Sequence, residues 1–578
     1  MIIKPVKKLI PIFEWLPSYQ KKQLKNDALA GITVAVVLIP QGIANALIVG
    51  LPPIYGLYSA LVPQVVYAIF GTSRQTAIGP VVMDSLIVAT GVSALALAGS
   101  ESYISIAILL ALLVGSIQFL MGVFKLGFIV NFLSKPVISG FTSAVALIVG
   151  INQFKYLFGI ELLQSDKLYV LLDDFFKKIQ FYNPSTSIIG LLACFTIVII
   201  KKISKKIPSA LLIIVMAIIA IKFFGSNLTG VDLVKNISSG LPNFSIPEID
   251  LVLLKELMPT ALTLVMVGYL ETISIAKTLE AKQDSYQVRS NQELIGLGLS
   301  NIIGSFFKAF PSSTSLSRSA INSEAGGETG ISAIISSIIV LITLLFLTPV
   351  FYYLPKAILA AIIIVAVFNL INLKEALRLW KANNLDFWLL AATFIATLFF
   401  GIQYGIATGV GLSLILLIFR TSKPYVTELG KVPNSNFYRN KNRFKDVVVE
   451  DKVLVFRFDA QLFYANANYF RDKLEQLAKE KGEKLKLIVL DAESINRVDS
   501  TGVDMLKERI RYYKKKDIVF YFAGVKGPVR DDLFRGGLLD EITLDHFFMR
   551  ANRAVHYFKT GDNINQKKYA QYIHQAYK

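Results

Sequence analysis

In a chain whose residues are 54% hydrophobic and only 17% charged, the chemically informative positions are the polar ones that interrupt apolar runs. Two stretches do so most sharply: GTSRQTAIGPV at Gly71–Val81 and FPSSTSLSRSA at Phe310–Ala320. Each supports a helix that begins inside the apolar region, with Pro80 suited to a first-turn position and Ser312 or Ser313 suited to capping. A helix begun there leaves unpaired N–H groups and a positive dipole end, which together favour an anion. Two such ends facing each other would make a binding site. Arg318, in the second stretch, adds a cation whose burial in a membrane is costly enough to imply a role. The same residues also fit two loops with Arg318 snorkelling to water, and spacing alone leaves both readings open.

Three further positions belong to this picture. LIPQGIANA at Leu38–Ala46 sets Gln41 and Asn45 one helical turn apart on one face, where they either line a cavity or hydrogen-bond between helices. In VMVGYLETISIAK at Val265–Lys277, Glu271 lies within an apolar span. An ionised carboxylate without a partner is unfavourable there, so it must be protonated, cation-bound or paired. That makes it a coupling-ion site, or one half of a salt bridge with Arg318. Asp84 poses the same problem, because an acid beside an anion site repels the substrate unless it is neutralised.

The elements that must position these residues are membrane helices. A bilayer-spanning helix needs about 20 mainly apolar residues, and about 14 candidates recur between Ala28 and Arg420, with doubtful boundaries at Gly71–Gly79 and Lys308–Ser319. The formal charge of +19 does not imply a nucleic-acid partner, since the lysines fall in short tracts beside apolar stretches. Arg74, Lys125 with Lys135, the tract Lys201–Lys206, Lys277 with Lys282 and Arg289, and Lys374 with Arg378 and Lys381 mark inner connections. Glu161–Lys178 and Asp232–Asp250 would face outward. Residues 1–27, with Lys4, Lys7, Lys8, Lys21, Lys22 and Lys25, show no signal-peptide pattern and are expected to be a cytoplasmic N-terminus. Cys194 is the single cysteine, which excludes disulfides and cysteine-rich metal sites. His546, His556 and His574 all lie near the C-terminus, so proton handling inside the membrane falls to carboxylates. NFLSKPVISGFTSAV at Asn131–Val145 echoes YYLPKAILAAIIIVA at Tyr352–Ala366, which hints at an internal repeat. After Arg420 the composition changes: a polar linker is expected over 421–445, an α/β domain over 446–560 and a tail over 561–578. In that domain Val453–Phe458, Leu487–Asp491 and Val519–Val525 read as strands, and Tyr469–Lys481 and Ser500–Lys514 as helices.

Five segments in order, DALAGITVAVVLIPQGIANA, GLPPIYGLYSALVP, FGTSRQTAIGPV, NQELIGLGLSNIIGS and PSSTSLSRSA, resemble the SulP sulfate permease family of anion transporters. The resemblance implies a polytopic all-α membrane protein of about 14 segments in two inverted repeats, about 28–225 and 256–420, divided into core and gate domains. It implies secondary active transport of a small inorganic oxyanion, sulfate first, by alternating access with a proton or sodium ion. The alternative is an uncoupled exchanger or channel for bicarbonate, chloride or a dicarboxylate. In that family two half-helices meet end to end and hold the anion. This nominates Gly79, Pro80 and Val81 on one side and Ser315, Leu316 and Ser317 on the other. Arg318 would supply positive potential, and Gln41 and Asn45 would line the pocket. Glu271 matches the acidic coupling position, and Asp84 departs from the apolar residue usual at its place. The terminal domain is similar to a STAS domain, with DSTG at Asp499–Gly502 as its strand-to-helix turn. Ser500 is there either a regulatory phosphorylation position or a helix cap. A homodimer in the cell membrane, with both termini and the STAS domain cytoplasmic, is further implied. No enzymatic activity, cofactor or metal is expected, and no GxxxxGK[ST] motif suggests a primary pump. A membrane-tethered sensor is disfavoured, since a mere anchor needs neither broken helices nor intramembrane carboxylates.

Overall fold

The computed structural model describes residues 9–132, 134–163, 165–203, 209–224, 230–234, 239–282, 286–368 and 370–561. Lys4, Lys7, Lys8, the second half of the Lys201–Lys206 tract, His574 and nearly all of the expected tail lie outside them. The chain divides into two compact units, Met1–Ser413 and Leu414–Lys578.

The first unit is helical. Among the described residues nine helices are long and apolar enough to cross a membrane, and three more apolar helices are shorter. The chain runs through α1 (Lys21–Val49), α2 (Pro53–Phe70), the two-residue strand β1 (Ile78–Gly79), α3 (Val82–Ser93), α4 (Glu101–Val123) and α5 (Lys135–Asn152). It later runs through the same series again: α6 (Leu251–Glu280), α7 (Ser290–Phe306), β2 (Ser313–Thr314), α8 (Leu316–Glu324), α9 (Ile331–Ile342) and α10 (Lys356–Phe368). The two segments whose sequences echo each other correspond in this series, for Lys135 opens α5 and Lys356 opens α10, each after a 3₁₀ segment.

Packing repeats along with the elements. α3 lies against α1 and α6, and so does α8; α9 packs on α1 as α4 packs on α6. The crossing of α4 and α7 needs glycine. A Cβ on Gly115 of α4 would come within 2.7 Å of the Gly298 carbonyl oxygen, and one on Gly298 of α7 within 2.5 Å of the Phe119 nitrogen. Small residues at that crossing let two backbones touch where lipid-facing helices gain nothing from hydrophobic exclusion. Apart from this cluster, α5 packs on helix Asn384–Phe400, and α10 on helix Pro184–Ile203.

The second unit carries a six-stranded sheet in the order β4-β3-β5-β6-β7-β8: β3 (Val426–Lys431), β4 (Tyr438–Asn440), β5 (Val453–Phe458), β6 (Leu487–Asp491), β7 (Val519–Ala523) and β8 (Phe547–Phe548). β5 to β8 are parallel, and β3 pairs antiparallel with both β4 and β5. Helices α11 (Ala467–Lys481), α12 (Ser500–Lys514) and α13 (Gly527–Arg535) contribute to one buried cluster, and α14 (Ala551–Thr560) to a second. The expected linker over 421–445 needs correction, because β3 and β4 fall inside it. Its polar residues find partners in the sheet: Thr427 bonds to Asn440 at 2.9 Å, and buried Glu428 pairs with Lys481 at 2.7 Å. A short edge strand, β4, and a neighbour that buries paired polar residues look like a linker in composition alone.

Candidate functional site

The two polar stretches meet. Ile78 pairs with Thr314 and Gly79 with Ser313 in a short antiparallel ladder, extended by Ser315 N–H donating to the Ala77 carbonyl at 3.1 Å. Each strand leads straight into a half-helix, so α3 and α8 start from opposite ends of one short ladder. Gly79 has φ +151°, and a Cβ there would sit 3.1 Å from Leu38 Cδ1 and 3.3 Å from Arg318 Nη2. Only glycine combines that conformation with so close an approach.

The helices begin two residues later than the sequence suggested. Pro80 is not in a first turn: α3 starts at Val82, with extended Val81 as N-cap and no side-chain cap. The Pro80 carbonyl is turned instead toward side chains, accepting from Asn45 Nδ2 at 2.9 Å and Arg318 Nη1 at 3.0 Å. Neither Ser312 nor Ser313 caps α8. Ser313 is consumed by the ladder, Ser312 Oγ donates toward the Ser59 and Phe310 carbonyls, and Ser315 is the N-cap, its hydroxyl 3.5 Å from the Arg318 N–H. A pairing between segments more than 200 residues apart moves both boundaries, and local sequence cannot show it.

Arg318 is 1% exposed, which removes the snorkelling alternative. Its Nη1 also donates to Gln41 Oε1 at 3.0 Å, while Nε and Nη2 have no hydrogen-bond partner. A buried guanidinium with two unused donors is costly in isolation and suited to an oxyanion. Asn45 is fully buried with its amide nitrogen spent on Pro80, so it bonds between elements; half-buried Gln41 reaches the same corner. Leu316 and Ser317 are exposed and Val81 is half-buried, so the first turn of α8 borders accessible space.

The acids lie close by. Glu271 is half-buried on α6, next to Thr272, whose hydroxyl donates to Thr314 of β2 at 2.7 Å. Among the described residues no ion pair joins Glu271 to Arg318, so the structural salt bridge falls. Asp84 is 2% exposed, lies beside the Ser313 hydroxyl, and is within electrostatic reach of both Arg318 and Glu271.

Sequence reasoning missed the groups that pin the two stretches in place. Fully buried Glu293 of α7 accepts from the Thr72 N–H at 2.7 Å, the Ser73 N–H at 3.1 Å and the hydroxyls of Thr72 and Tyr67. Asn301 grips Ser312 at both backbone groups, at 2.9 and 3.1 Å. Glu293 gave a weaker signal than Glu271, because it falls in the polar first turn of α7, Ser290–Glu293, where an acid is ordinary. In the second unit, Asp499 and not Ser500 caps α12, accepting from the Gly502 N–H at 2.8 Å; Ser500 is exposed at the first helical position. An aspartate one residue earlier outcompetes the serine, because its carboxylate reaches the N–H of the third residue.

Taken together, a multi-pass helical unit with paired half-helix starts and a separate mixed sheet defines a membrane transporter of anions carrying a STAS domain. The sequence profile of the sulfate permease family matches residues 24–393 and that of the STAS domain residues 444–554; the chain belongs to the sulfate permease family. It is 37% identical to sulfate transporter 4.1, chloroplastic, of Arabidopsis thaliana over 95% of this chain and 82% of that one. Against sulfate transporter 1.1 of the same plant identity is 31%, over 95% and 88%. Among solved structures, the murine anion transporter Slc26a9 in its inward-facing state superposes with TM-score 0.89 at 27% identity, covering 96% of this chain and 94% of that one. The transmembrane domain of a cyanobacterial bicarbonate transporter, BicA, shares the fold at TM-score 0.59 and 22% identity, covering 69% and 98%.

Proposed function

We propose that the chain is a secondary active transporter of a small oxyanion, sulfate, held between the starts of α3 and α8. The observation that carries this reading is Arg318: buried, fixed to Gln41 and Pro80, and left with two free donors where two helix starts converge. Gly79, Pro80 and Val81 with Ser315, Leu316 and Ser317 form the walls, and Gln41 and Asn45 hold the corner. Glu271 takes up the coupling proton or sodium ion, and Asp84 takes part in the same coupling. Sulfate is favoured by the plant relatives, which are sulfate transporters. About 14 spans in two inverted repeats, a homodimer, and a cell-membrane location with cytoplasmic termini complete the proposal, with Ser500 as a regulatory position.

The test is uptake of radiolabelled sulfate into proteoliposomes with and without a proton or sodium gradient. A gradient should raise accumulation in the native chain, and Glu271→Gln should cut that gain roughly tenfold while sulfate still binds. Full gradient-driven accumulation in Glu271→Gln would remove Glu271 from the mechanism, and gradient-independent uptake by the native chain would leave an exchanger or channel.

A further inference from the structure

Counting from their first residues, α3 and α8 carry opposite charges at the same place. Val81 and Ser315 are the two N-caps, and the third helical residues are Asp84 and Arg318. The ladder that pairs Gly79 with Ser313 brings these matching positions to one junction. An acid in the third helical position commonly returns to bond its own N-cap N–H. Asp84 makes no such bond: α3 has no capping box, and Asp84 Oδ1, though buried, has no hydrogen-bond partner. Nor does it form an ion pair with Arg318, whose Nε and Nη2 are likewise unpartnered. Its surroundings are polar and sparse. α6 brings Glu271, β2 brings Ser313, and α8 brings Arg318. α4 brings Gln118, whose Nε2 lies, like Asp84 Oδ2, 3.9 Å from where a Cβ on Gly268 would be. α1 brings only the uncharged Gln41 and Asn45. The remaining charged residues of α1, α4, α5 and α6 lie in the first or last two turns of those helices. Tyr103 and Tyr269 spend their hydroxyls on the Val49 and Ser290 carbonyls.

We propose that Asp84 is a second proton-binding carboxyl of the anion site, so that one divalent oxyanion crosses together with two protons, one on Glu271 and one on Asp84. The reasoning is a charge count, and it rests on the anion site proposed above. With both acids ionised, the empty junction holds one positive and two negative charges. A divalent anion would raise the imbalance to three negative charges in a place where like charges repel strongly. Two protons arriving with the anion leave the net charge of the loaded site equal to that of the empty one. Arg318 alone cannot do this, because Asp84 already offsets it. Replacing Asp84 by a neutral residue leaves one titratable acid, and the loaded site then carries an extra negative charge through the cycle.

The experiment uses the full chain in proteoliposomes. Sulfate uptake is followed by radiolabel and proton entry by an internal pH dye at clamped zero potential, with net current read separately on a solid-supported membrane. The native chain should move about two protons per sulfate without net current, and Asp84→Asn about one proton per sulfate with a current of negative charge following the anion. Glu271→Gln should also move about one, and the double variant none. A native ratio of one, a ratio unchanged in Asp84→Asn, or uptake that requires sodium and moves no protons would overturn the proposal. The native ratio needs no variant, so a failure of Asp84→Asn to insert leaves that arm decisive, and Asp84→Val repeats the comparison with an apolar residue. Absence of sulfate uptake by the native chain is read from the radiolabel alone; it would sink the transport reading and this one with it. A native ratio of one with intact uptake sinks this one only.

Discussion

α3 and α8 start from paired strands, occupy corresponding places in the two halves of the chain, and rest on the same two long helices, α1 and α6. Their chemistry is nonetheless unequal. α8 has a serine N-cap and an arginine in its first turn, where a helix dipole disfavours a cation; α3 has no side-chain cap and an aspartate, which the dipole favours. The backbone thus repeats while the side chains diverge. A repeated scaffold supplies two helix ends, and single substitutions on it decide which end attracts an anion and which answers to protons. The unfavourable placement of Arg318 is the more informative of the two, because local stability alone would not put it there.

The largest effect is expected from erasing the positive side. Arg318→Ala should weaken sulfate binding on the order of 100-fold, since it removes the charged donors and leaves the Pro80 carbonyl with Asn45 alone. Adding Asp84→Val to that variant should recover roughly tenfold, because the remaining acid no longer repels the anion. Equilibrium binding of radiolabelled sulfate to purified protein measures both. An unaltered dissociation constant in Arg318→Ala would remove the arginine from the site. Additive effects of the two substitutions would mean that the opposed charges do not act on each other.

Next comes the ladder that joins the two halves. Gly79→Ala must force a side chain into a conformation with φ +151° and against Leu38 and Arg318, so the ladder should open and affinity fall roughly tenfold. The counterpart position, Ser313, is not a glycine, and Ser313→Ala should cost less than threefold, about what a single unpaired hydroxyl is worth. Equal losses at the two positions would show that the ladder tolerates strain equally on both strands.

Much of this asymmetry was readable in the amino-acid order, and some was not, for physical reasons. Gly71–Val81 and Phe310–Ala320 were conspicuous because serine, threonine, glycine and proline rarely interrupt apolar spans without a use for the break. The ionisable residues Arg318, Glu271 and Asp84 stood out on the same ground. What stayed hidden is what depends on distant partners. The start of α3 moved from Pro80 to Val82 and the cap of α8 from Ser312 or Ser313 to Ser315, because Ile78–Gly79 and Ser313–Thr314 pair with each other as strands. Glu293 hid in the polar first turn of α7 until the backbone of Thr72 and Ser73 was seen to fold onto it. In the second unit the central strands were legible from largely apolar runs, whereas β3 buries Thr427 and Glu428 and β4 is short and polar, so both passed for a linker.

A carboxyl outside the membrane gives a milder version of the Asp84 problem. Asp491, at the end of β6, is pushed up to about 6 by burial, with backbone hydrogen bonding opposing the shift. Its folded-state value lies above its unfolded one, so the folded unit holds the proton more tightly between about pH 4 and pH 6. Stability from this group is therefore present at low pH and is lost as pH rises through about 6. Between pH 7.5 and 5.5 the strands around Asp491 should gain roughly 0.8 kcal/mol, read in the full chain as higher protection factors once the intrinsic pH dependence of amide exchange is divided out. Asp491→Asn should abolish that pH step, and a step that survives the substitution would assign it to another group.

The smallest effect concerns a helix start that is fully capped. At α12 the Asp499 carboxylate takes the Gly502 N–H on one oxygen and the Tyr464 N–H at 2.9 Å on the other, so this helix end has a side chain where α3 has none. Asp499→Ala should destabilise the sheet unit by about 1 kcal/mol, and Ser500→Ala by less than about 0.5 kcal/mol, because the serine hydroxyl is exposed and caps nothing. Hydrogen exchange across α12 distinguishes them. If Ser500→Ala proved the more damaging, the serine would be holding the turn after all. If neither mattered, a side-chain cap would be dispensable here, and the bare start of α3 would no longer argue for a ligand in its place.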